Sequence, residues 1–214
     1  MRRYALIRQT CEAATSFSPT TECRTLGRAC GQCAKNAMKK AIRKLPPFEP
    51  DEKLLNVIVE TPKGSRNKYA FDEEIGLFKL RKILPEGMSF PFDFGFVPQT
   101  RAEDGDPIDV LLLMEEKAFP GCLVESRLVG VIRAEEEEKG KTERNDRLVA
   151  IAAVHSRLMH CRSLKDLDPQ LIDDVESFFV SYNRLDGKKF RILSTGGAKQ
   201  ALKLIKRAKA DGGK

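Results

Sequence analysis

The sequence has no apolar run approaching the roughly 18 residues that a membrane span requires, and no internal repeat with a period of about 20–50 residues. These absences exclude a membrane protein and a repeat array. Hydrophobic residues nevertheless make up 41% of the 214 residues, which is too many for a wholly disordered chain. The length suits one domain, or one domain with an appendage.

Histidine is scarce, with only two residues, at 155 and 160. Cys30 and Cys33 have the spacing of half a zinc or redox site, but a structural zinc site needs four ligands and both histidines lie far away in the sequence. We therefore interpret the pair as coincidental. The cysteines at 122 and 161 are isolated, which is typical of a reducing compartment.

The positive net charge of +7 is not spread evenly. Residues 1–45 hold ten of the 38 basic residues and two of the 31 acidic ones, which leaves 28 basic against 29 acidic residues in 46–214. The body of the protein is therefore close to neutral, and a nucleic-acid partner for it is not expected.

Residues 1–45 are rich in Arg, Ser, Thr and Ala and poor in acids, and we predict a separate, disordered extension. The composition fits an organelle transit peptide, a basic arm, or a segment upstream of a natural start at Met38. A secretory signal is excluded because no apolar stretch follows Arg2 and Arg3. A proline-rich boundary at 45–50 predicts a body over 46–214, in the cytoplasm, or in a mitochondrion or plastid if the extension is a transit peptide.

The body begins with a series of short strand patterns and ends with two helical patterns. Strands are predicted over 55–60, 109–114, 123–133 and 148–154, with a hairpin over 68–72 and 77–81. The phenylalanines at 90, 92, 94 and 96 alternate with period two, so we expect a core-packing face. Helices are predicted after Pro169, ending at Gly187, and from Ala198. This order favours an α+β fold, a small closed barrel flanked by helices.

The densest chemical signal is the segment Asp-Gly-Asp-Pro-Ile-Asp at 104–109. Asp104 and Asp106 point the same way on an extended backbone, and a bend at Pro107 can bring Asp109 beside them. Three such carboxylates need cations, and all-oxygen ligands select Mg²⁺ or Mn²⁺. An EF-hand is excluded because Asp109 stands where that loop requires Gly. Taken alone, the segment fits a polar hairpin turn equally well.

Other residues in the chain favour the metal interpretation, although each alone is more often a solvated surface group. They are Glu60, Lys68, Arg81, Arg147 and Tyr182. Together with the segment at 104–109 and the Phe90-Pro91 pair, this series resembles soluble family I inorganic pyrophosphatase over roughly residues 54–195.

The resemblance implies a five-stranded OB-like barrel and Mg²⁺-dependent hydrolysis of pyrophosphate to two phosphates, with Mn²⁺ as a substitute ion. By position, Asp104 and Asp109 are expected to be metal ligands, and Glu60 an outer metal or water ligand. Asp106 is expected to orient or deprotonate the attacking water. The expected phosphate-binding residues are Lys68, Arg81, Arg147 and Tyr182.

The sequence departs from the family pattern at several positions. Ala70 stands where a Glu is usual, Phe94 where a Tyr donates to phosphate, and Asn183 where a Lys follows the helical Tyr. The family has an Asp, one intervening residue and then a Lys; in strict register the Asp and Lys positions are Asn145 and Arg147.

A shift of one residue would place Asp146 at that metal position, with Glu136 as its upstream partner. We take this shift as the prediction, and we interpret most of the acidic run at 135–138 as a solvated hairpin tip. Activity is expected to survive these departures, since loss of one donor typically costs about 10²-fold without abolishing catalysis.

Two other functions remain open at this point. A catalytically weakened barrel could act as a scaffold or nucleic-acid-binding module through its basic extension, although the three aspartates argue against it. The chain could instead be another Mg²⁺-dependent phosphohydrolase that acts on nucleotides, but no distinct base-binding motif supports this function. The length of the body resembles shorter, prokaryotic-type members, which implies a homo-oligomer, a hexamer.

Overall fold

A computed structural model of the chain describes residues 39–42, 44–103, 105–154 and 157–211. The described residues form nine strands: Leu55–Thr61 (β1), Asn67–Asp72 (β2), Leu77–Ile83 (β3), Asp93–Phe96 (β4), Asp109–Leu113 (β5), Leu123–Glu138 (β6), Lys141–Arg144 (β7), Arg147–Ala152 (β8) and Lys189–Gly197 (β9). The two longest helices are Gln170–Arg184 (α1) and Ala198–Asp211 (α2), and 3₁₀ turns span Arg157–His160 and Leu164–Asp166. No described helix is long and apolar enough to cross a membrane.

Five strands close on themselves. Their order is β1-β4-β5-β8-β6, and β6 pairs back onto β1 from Leu55↔Ser126 to Ile58↔Leu123. All neighbouring pairs are antiparallel except β5 and β8, which run parallel. The predicted α+β fold with a small closed OB-like barrel is confirmed. The predicted extension at 1–45 lies mostly outside the described residues, and its fate stays a prediction.

Strand β6 joins the barrel to everything beside it. It is 16 residues long and pairs with β1, β8, β7 and β9. Gly130 lies at the register shift between β6 and β8, and a Cβ there would lie 2.6 Å from the carbonyl oxygen of Gly196. Only glycine permits this close approach of β9. The far half of β6 therefore extends beyond the barrel and carries the acidic run at 135–138.

Both faces of the barrel sheet are buried. One face packs with Ala201, Ile205 and Ala208 of α2, and the other packs with Val175 and Phe179 of α1. In each helix these residues are three or four positions apart, so they form one apolar stripe along the helix. Full burial of each large apolar side chain contributes about 1.5–3 kcal/mol, so the two helices are fixed firmly against the strands that carry the site.

The predicted hairpin forms a separate two-stranded sheet of β2 and β3. Thr61 anchors it to β1, because its Oγ1 donates to the Tyr69 carbonyl at 3.0 Å and accepts from the Tyr69 amide at 3.0 Å. On the other side Lys82 Nζ lies 2.8 Å from an Asp186 carboxylate oxygen beyond α1. The hairpin is thus held on one side by β1 and on the other by Asp186, just beyond α1.

The phenylalanine run differs from the predicted extended segment. Strand β4 covers only Asp93–Phe96, and the preceding residues turn. Phe90, Phe94 and Phe96 are buried, and the Phe90 ring lies 5.0 Å from Phe178 and 5.8 Å from Tyr182 of α1. Core packing is therefore the role of these rings.

Candidate active site

A polar cavity of about 840 Å³ opens between the β2–β3 hairpin, the loop before β5, the outer half of β6 and helix α1. Eight of the predicted site residues line it: Glu60, Lys68, Arg81, Asp106, Asp109, Glu136, Arg147 and Tyr182. Asp104 lies outside the described residues. Asp146 is absent from the lining, and its neighbour Asn145 is present.

The loop at 100–109 is held as a tight turn. The Ala102 amide donates to the Asp106 carbonyl at 2.7 Å, and Gly105 takes a positive φ of 92°, a conformation that favours glycine. Thr100 fixes the loop because its Oγ1 accepts from the Ile108 amide at 3.0 Å. Asp109 then begins β5, paired with Phe96. One loop therefore provides the predicted turn and two of the three predicted carboxylates, those of Asp106 and Asp109, which both line the cavity.

Glu60 and Lys68 form a nearly buried pair on one wall. The Phe71 amide donates to Glu60 Oε1 at 2.7 Å, and Lys68 Nζ lies 3.5 Å from Oε2. Lys68 also sits 4.1 Å from the centre of the Phe94 ring, a distance at which an ammonium is attracted by an aromatic face. The ammonium is thus directed into the cavity by a carboxylate and a ring.

Arg81 lies on the more exposed strand of the hairpin. Its Nη2 is 3.6 Å from Asp72 Oδ2, which Lys79 contacts at 2.6 Å. The hydrogen bond from Lys79 lowers the pKa of Asp72 below its ordinary value. Asp72 therefore stays ionised and holds two cations at this rim of the cavity.

Tyr182 projects from α1 into the cavity. Burial, and next the Asp186 carboxylate, raise the pKa of Tyr182 to about 12. Its ring stacks on Phe178 at 5.8 Å, and Lys82 Nζ lies 4.5 Å from the ring centre. The phenol therefore remains a hydrogen-bond donor at neutral pH.

Arg147 is the most deeply placed cation, with only 3% of its surface exposed. Its guanidinium carbon lies 4.0 Å from the centre of the Phe179 ring. Nη1 donates to the Asn145 carbonyl at 2.9 Å, and Nη2 donates to Glu136 Oε1 at 3.2 Å. Nε is buried without a hydrogen-bond acceptor and lies 3.9 Å from Asp109 Oδ2.

Asp146 faces away from this cavity. Its Oδ1 accepts from the Ala134 amide at 3.2 Å and from Arg144 at 2.6 Å. It lines a second cavity of about 390 Å³ beneath α2, together with Arg101 and Arg207. The structure thus places Asn145, the residue in strict register, on the polar cavity, and not Asp146 as the one-residue shift predicts.

Among the described residues, no group of three or more His, Cys, Asp or Glu side chains is close enough to hold a metal ion. Asp106 and Asp109 supply two carboxylates on one loop, with Asp104 beside them in the sequence. These oxygen donors fit a hard divalent cation. The Glu136 side is different, because the donors around it already occupy its carboxylate.

Sequence reasoning missed several residues on the cavity wall. Lys188 follows the helix stop at Gly187 and lies 3.1 Å from Glu138, whose hydrogen bond raises the pKa of Lys188 above its ordinary value. Asp72, Arg101 and Asp186 also line the cavity. The signal that could have found Lys188 is its position where the chain leaves α1 and returns to the sheet.

The cavity beside the closed five-stranded barrel is lined by cations, a phenol and carboxylates, a lining that suits a small, highly charged anion. A family model described as inorganic pyrophosphatase matches residues 57–211. The chain is 34% identical over 159 residues to an inorganic pyrophosphatase of Synechocystis, covering 74% of this chain and 92% of that protein. It is 33% identical over 153 residues to a soluble inorganic pyrophosphatase of rice, covering 72% and 70%.

Solved structures agree with these relatives. The inorganic pyrophosphatase of Thermus thermophilus superimposes with a TM-score of 0.73 at 31% identity, covering 80% of this chain and 98% of that one. The protein therefore belongs to the inorganic pyrophosphatases, metal-dependent hydrolases that act on pyrophosphate. The resemblance read from the sequence is confirmed.

Proposed function

We propose that this chain hydrolyses pyrophosphate with Mg²⁺, or with Mn²⁺ in its place, and that Asp106 orients or deprotonates the attacking water. The observation that carries the proposal is the convergence of eight predicted residues of both charges on one cavity. A bound divalent ion would lower the pKa of a water and neutralise phosphate charge. Asp104 and Asp109 would hold it at the loop before β5, with Glu60 as an outer ligand for the ion or its water.

The cations of the cavity are assigned to the substrate. Pyrophosphate carries several negative charges at neutral pH, so attack by another anion is opposed unless charge is neutralised. Lys68, Arg81 and Arg147 approach the cavity from three different strands, and Tyr182 adds a protonated hydroxyl. These groups would hold the two phosphates and stabilise the charge that develops on the leaving one.

The departures from the family pattern affect this site unequally. Asn183 is buried and lines the cavity, and its Nδ2 donates to the Phe179 carbonyl at 2.9 Å, so this amide group is bonded within helix α1. Ala70 lines the cavity and leaves that point without a carboxylate, and Phe94 presents its ring to Lys68. We infer that the reaction proceeds with fewer donors and a Lys68 held more rigidly.

Phosphate release from pyrophosphate tests the proposal, with and without Mg²⁺. Asp106→Asn is expected to lower kcat by at least about 10²-fold, because the carboxamide cannot accept a proton from water. Asp173→Asn on the exposed face of α1 is the matched control and is expected to leave the rate unchanged. If the full chain released no phosphate in Mg²⁺, the scaffold alternative acting through residues 1–45 would replace this proposal.

We also propose that the protein is a cytoplasmic homo-oligomer, a hexamer, and that residues 1–45 would direct it to an organelle if they form a transit peptide. The length of the body supports the hexamer, since this chain covers 92% of the length of its Synechocystis relative. Sedimentation velocity tests the hexamer. Imaging of the full chain against a chain beginning at residue 46 tests the location.

A further inference from the structure

Glu136 is occupied by donors within the protein. The Asn145 amide donates to its Oε1 at 2.7 Å, and Arg147 Nη2 donates to the same oxygen at 3.2 Å. A carboxylate oxygen has two lone pairs, so both lone pairs of Oε1 have partners. Oε2 faces the ammonium of Lys188 at 4.0 Å. A metal ion at this carboxylate would have to displace an amide or a cation.

Arg147 fills the space between two acidic positions. It donates to Glu136 on one side and lies 3.9 Å from Asp109 on the other. The Phe179 ring at 4.0 Å and the Asn145 carbonyl fix the plane of the guanidinium. A guanidinium is always charged and its donors are fixed in geometry. The positive charge at this end of the cavity is therefore part of a side chain, that of Arg147.

From these contacts we propose that the Arg147 guanidinium takes the place of a metal ion at the β6–β8 end of the cavity. Glu136 is then its counter-ion and not a metal ligand, and Asn145 orients the pair. Divalent ions bind only beside the loop before β5, around Asp106 and Asp109. The inference deepens the proposed function and rests on it for the statement that the cavity binds divalent ions at all.

The number of bound Mn²⁺ ions per full-length chain tests this without turnover, because protein-bound Mn²⁺ loses the electron paramagnetic resonance signal of the free ion. Glu136→Gln is expected to bind as many Mn²⁺ ions as the unsubstituted chain, whereas Asp109→Asn is expected to bind one fewer. A lost ion in Glu136→Gln, with circular dichroism unchanged, would overturn the proposal.

Asn145→Asp provides a gain that unfolding cannot mimic. It replaces the donor to Glu136 with a second carboxylate, so this chain is expected to bind one Mn²⁺ ion more than the unsubstituted chain. Asp146→Asn is the matched control, because its carboxylate faces Ala134 and Arg144, and no change is expected. An unchanged count in Asn145→Asp would contradict the proposal.

The two proposals fail in different ways. If the substituted chains follow the expected ion counts but the natural chain releases no phosphate, the assignment of Arg147 stands and the proposed hydrolysis is wrong. If phosphate is released and Glu136→Gln loses an ion, the hydrolysis stands and the assignment of Arg147 is wrong.

Discussion

The two ends of the cavity hold their cations in opposite ways. At the hairpin end, defined by Lys68, Asp72 and Arg81, the Arg81 side chain is 52% exposed and rests on a shared carboxylate. At the barrel end, defined by Glu136, Asn145 and Arg147, the Arg147 side chain is 4% exposed. It contacts Glu136, the Asn145 carbonyl and the Phe179 ring, and it lies near Asp109. An exposed cation can follow a moving substrate, whereas a buried one is part of the folded structure. Arg81 can therefore follow the substrate, whereas Arg147 offers its charge at a fixed position.

The largest expected effect is on stability at the barrel end. Arg147→Ala removes the buried guanidinium that contacts Glu136 and Asp109, and it removes the contact with Phe179. Breaking a buried pair costs about 3–5 kcal/mol, and we expect about 3 kcal/mol here because Asp109 is partly exposed. Urea denaturation checks this value. A loss below roughly 1 kcal/mol would mean that the two ends of the cavity do not differ.

Arg81→Ala is expected to give the reverse pattern. Its contact with Asp72 is solvated and contributes about 0–1 kcal/mol to folding, but loss of a donor to the transition state costs about 10²-fold in kcat. Lys79→Ala is the matched control, because Lys79 contacts the same carboxylate without lining the cavity, and its rate should stay near that of the natural chain. Equal losses in both variants would attribute the effect to Asp72 instead.

The raised pKa of Tyr182 makes the free energy of unfolding depend on pH. Since its pKa is raised to about 12 from 10.0, the folded chain retains a proton that the unfolded chain releases. This stabilisation is complete below the unfolded pKa and is lost as the pH rises through the folded one. Between roughly pH 9 and pH 11 we expect the free energy of unfolding to fall by about 1 kcal/mol more than in Tyr182→Phe. Parallel pH curves for the two chains would contradict this.

The smallest effect concerns Phe94. Its ring lines the cavity beneath Lys68, so Phe94→Tyr would add one hydroxyl donor at the hairpin end. A threefold to tenfold rise in kcat, about 1 kcal/mol, is expected, and steady-state phosphate release measures it. Phe92→Tyr, which adds the same hydroxyl outside the cavity, is the control. A lower rate would show that the contact between Lys68 and the ring matters more than a further donor.

The sequence predicted the parts that local chemistry specifies. The turn at Gly105, the hairpin of β2 and β3, and the apolar stripe of α1 follow from residue types and spacing over a few positions. Strand β9 was missed because its residues alternate poorly: only Phe190 and Gly196 are buried in it, and its position comes from pairing with β6. Long-range pairing of this kind leaves little pattern within the strand itself.

Long-range contacts also decide which of Asn145 and Asp146 faces the cavity. Composition favours the carboxylate of Asp146 as a ligand, but the Ala134 amide on β6 binds that carboxylate and turns Asn145 towards the cavity. Which of two adjacent side chains faces a given side depends on strand register. The two residues lie in the short link between β7 and β8, and the contact of Asp146 with Ala134 on β6 decides their orientation. The sequence does not reveal that contact.

Closure of the barrel has a consequence for association between molecules. The five barrel strands have no free edge, so in the described part of the chain the unpaired edges fall on β2, β3, β7 and β9. On β3, Leu80 and Ile83 are 51% and 61% exposed. Unpaired strands with apolar side chains invite aggregation, and lysines or arginines on the edge oppose it. Lys79, Arg81 and Lys82 occupy that strand. Arg81, which lines the cavity, thus also acts with its two lysine neighbours to keep the hairpin from pairing with another hairpin.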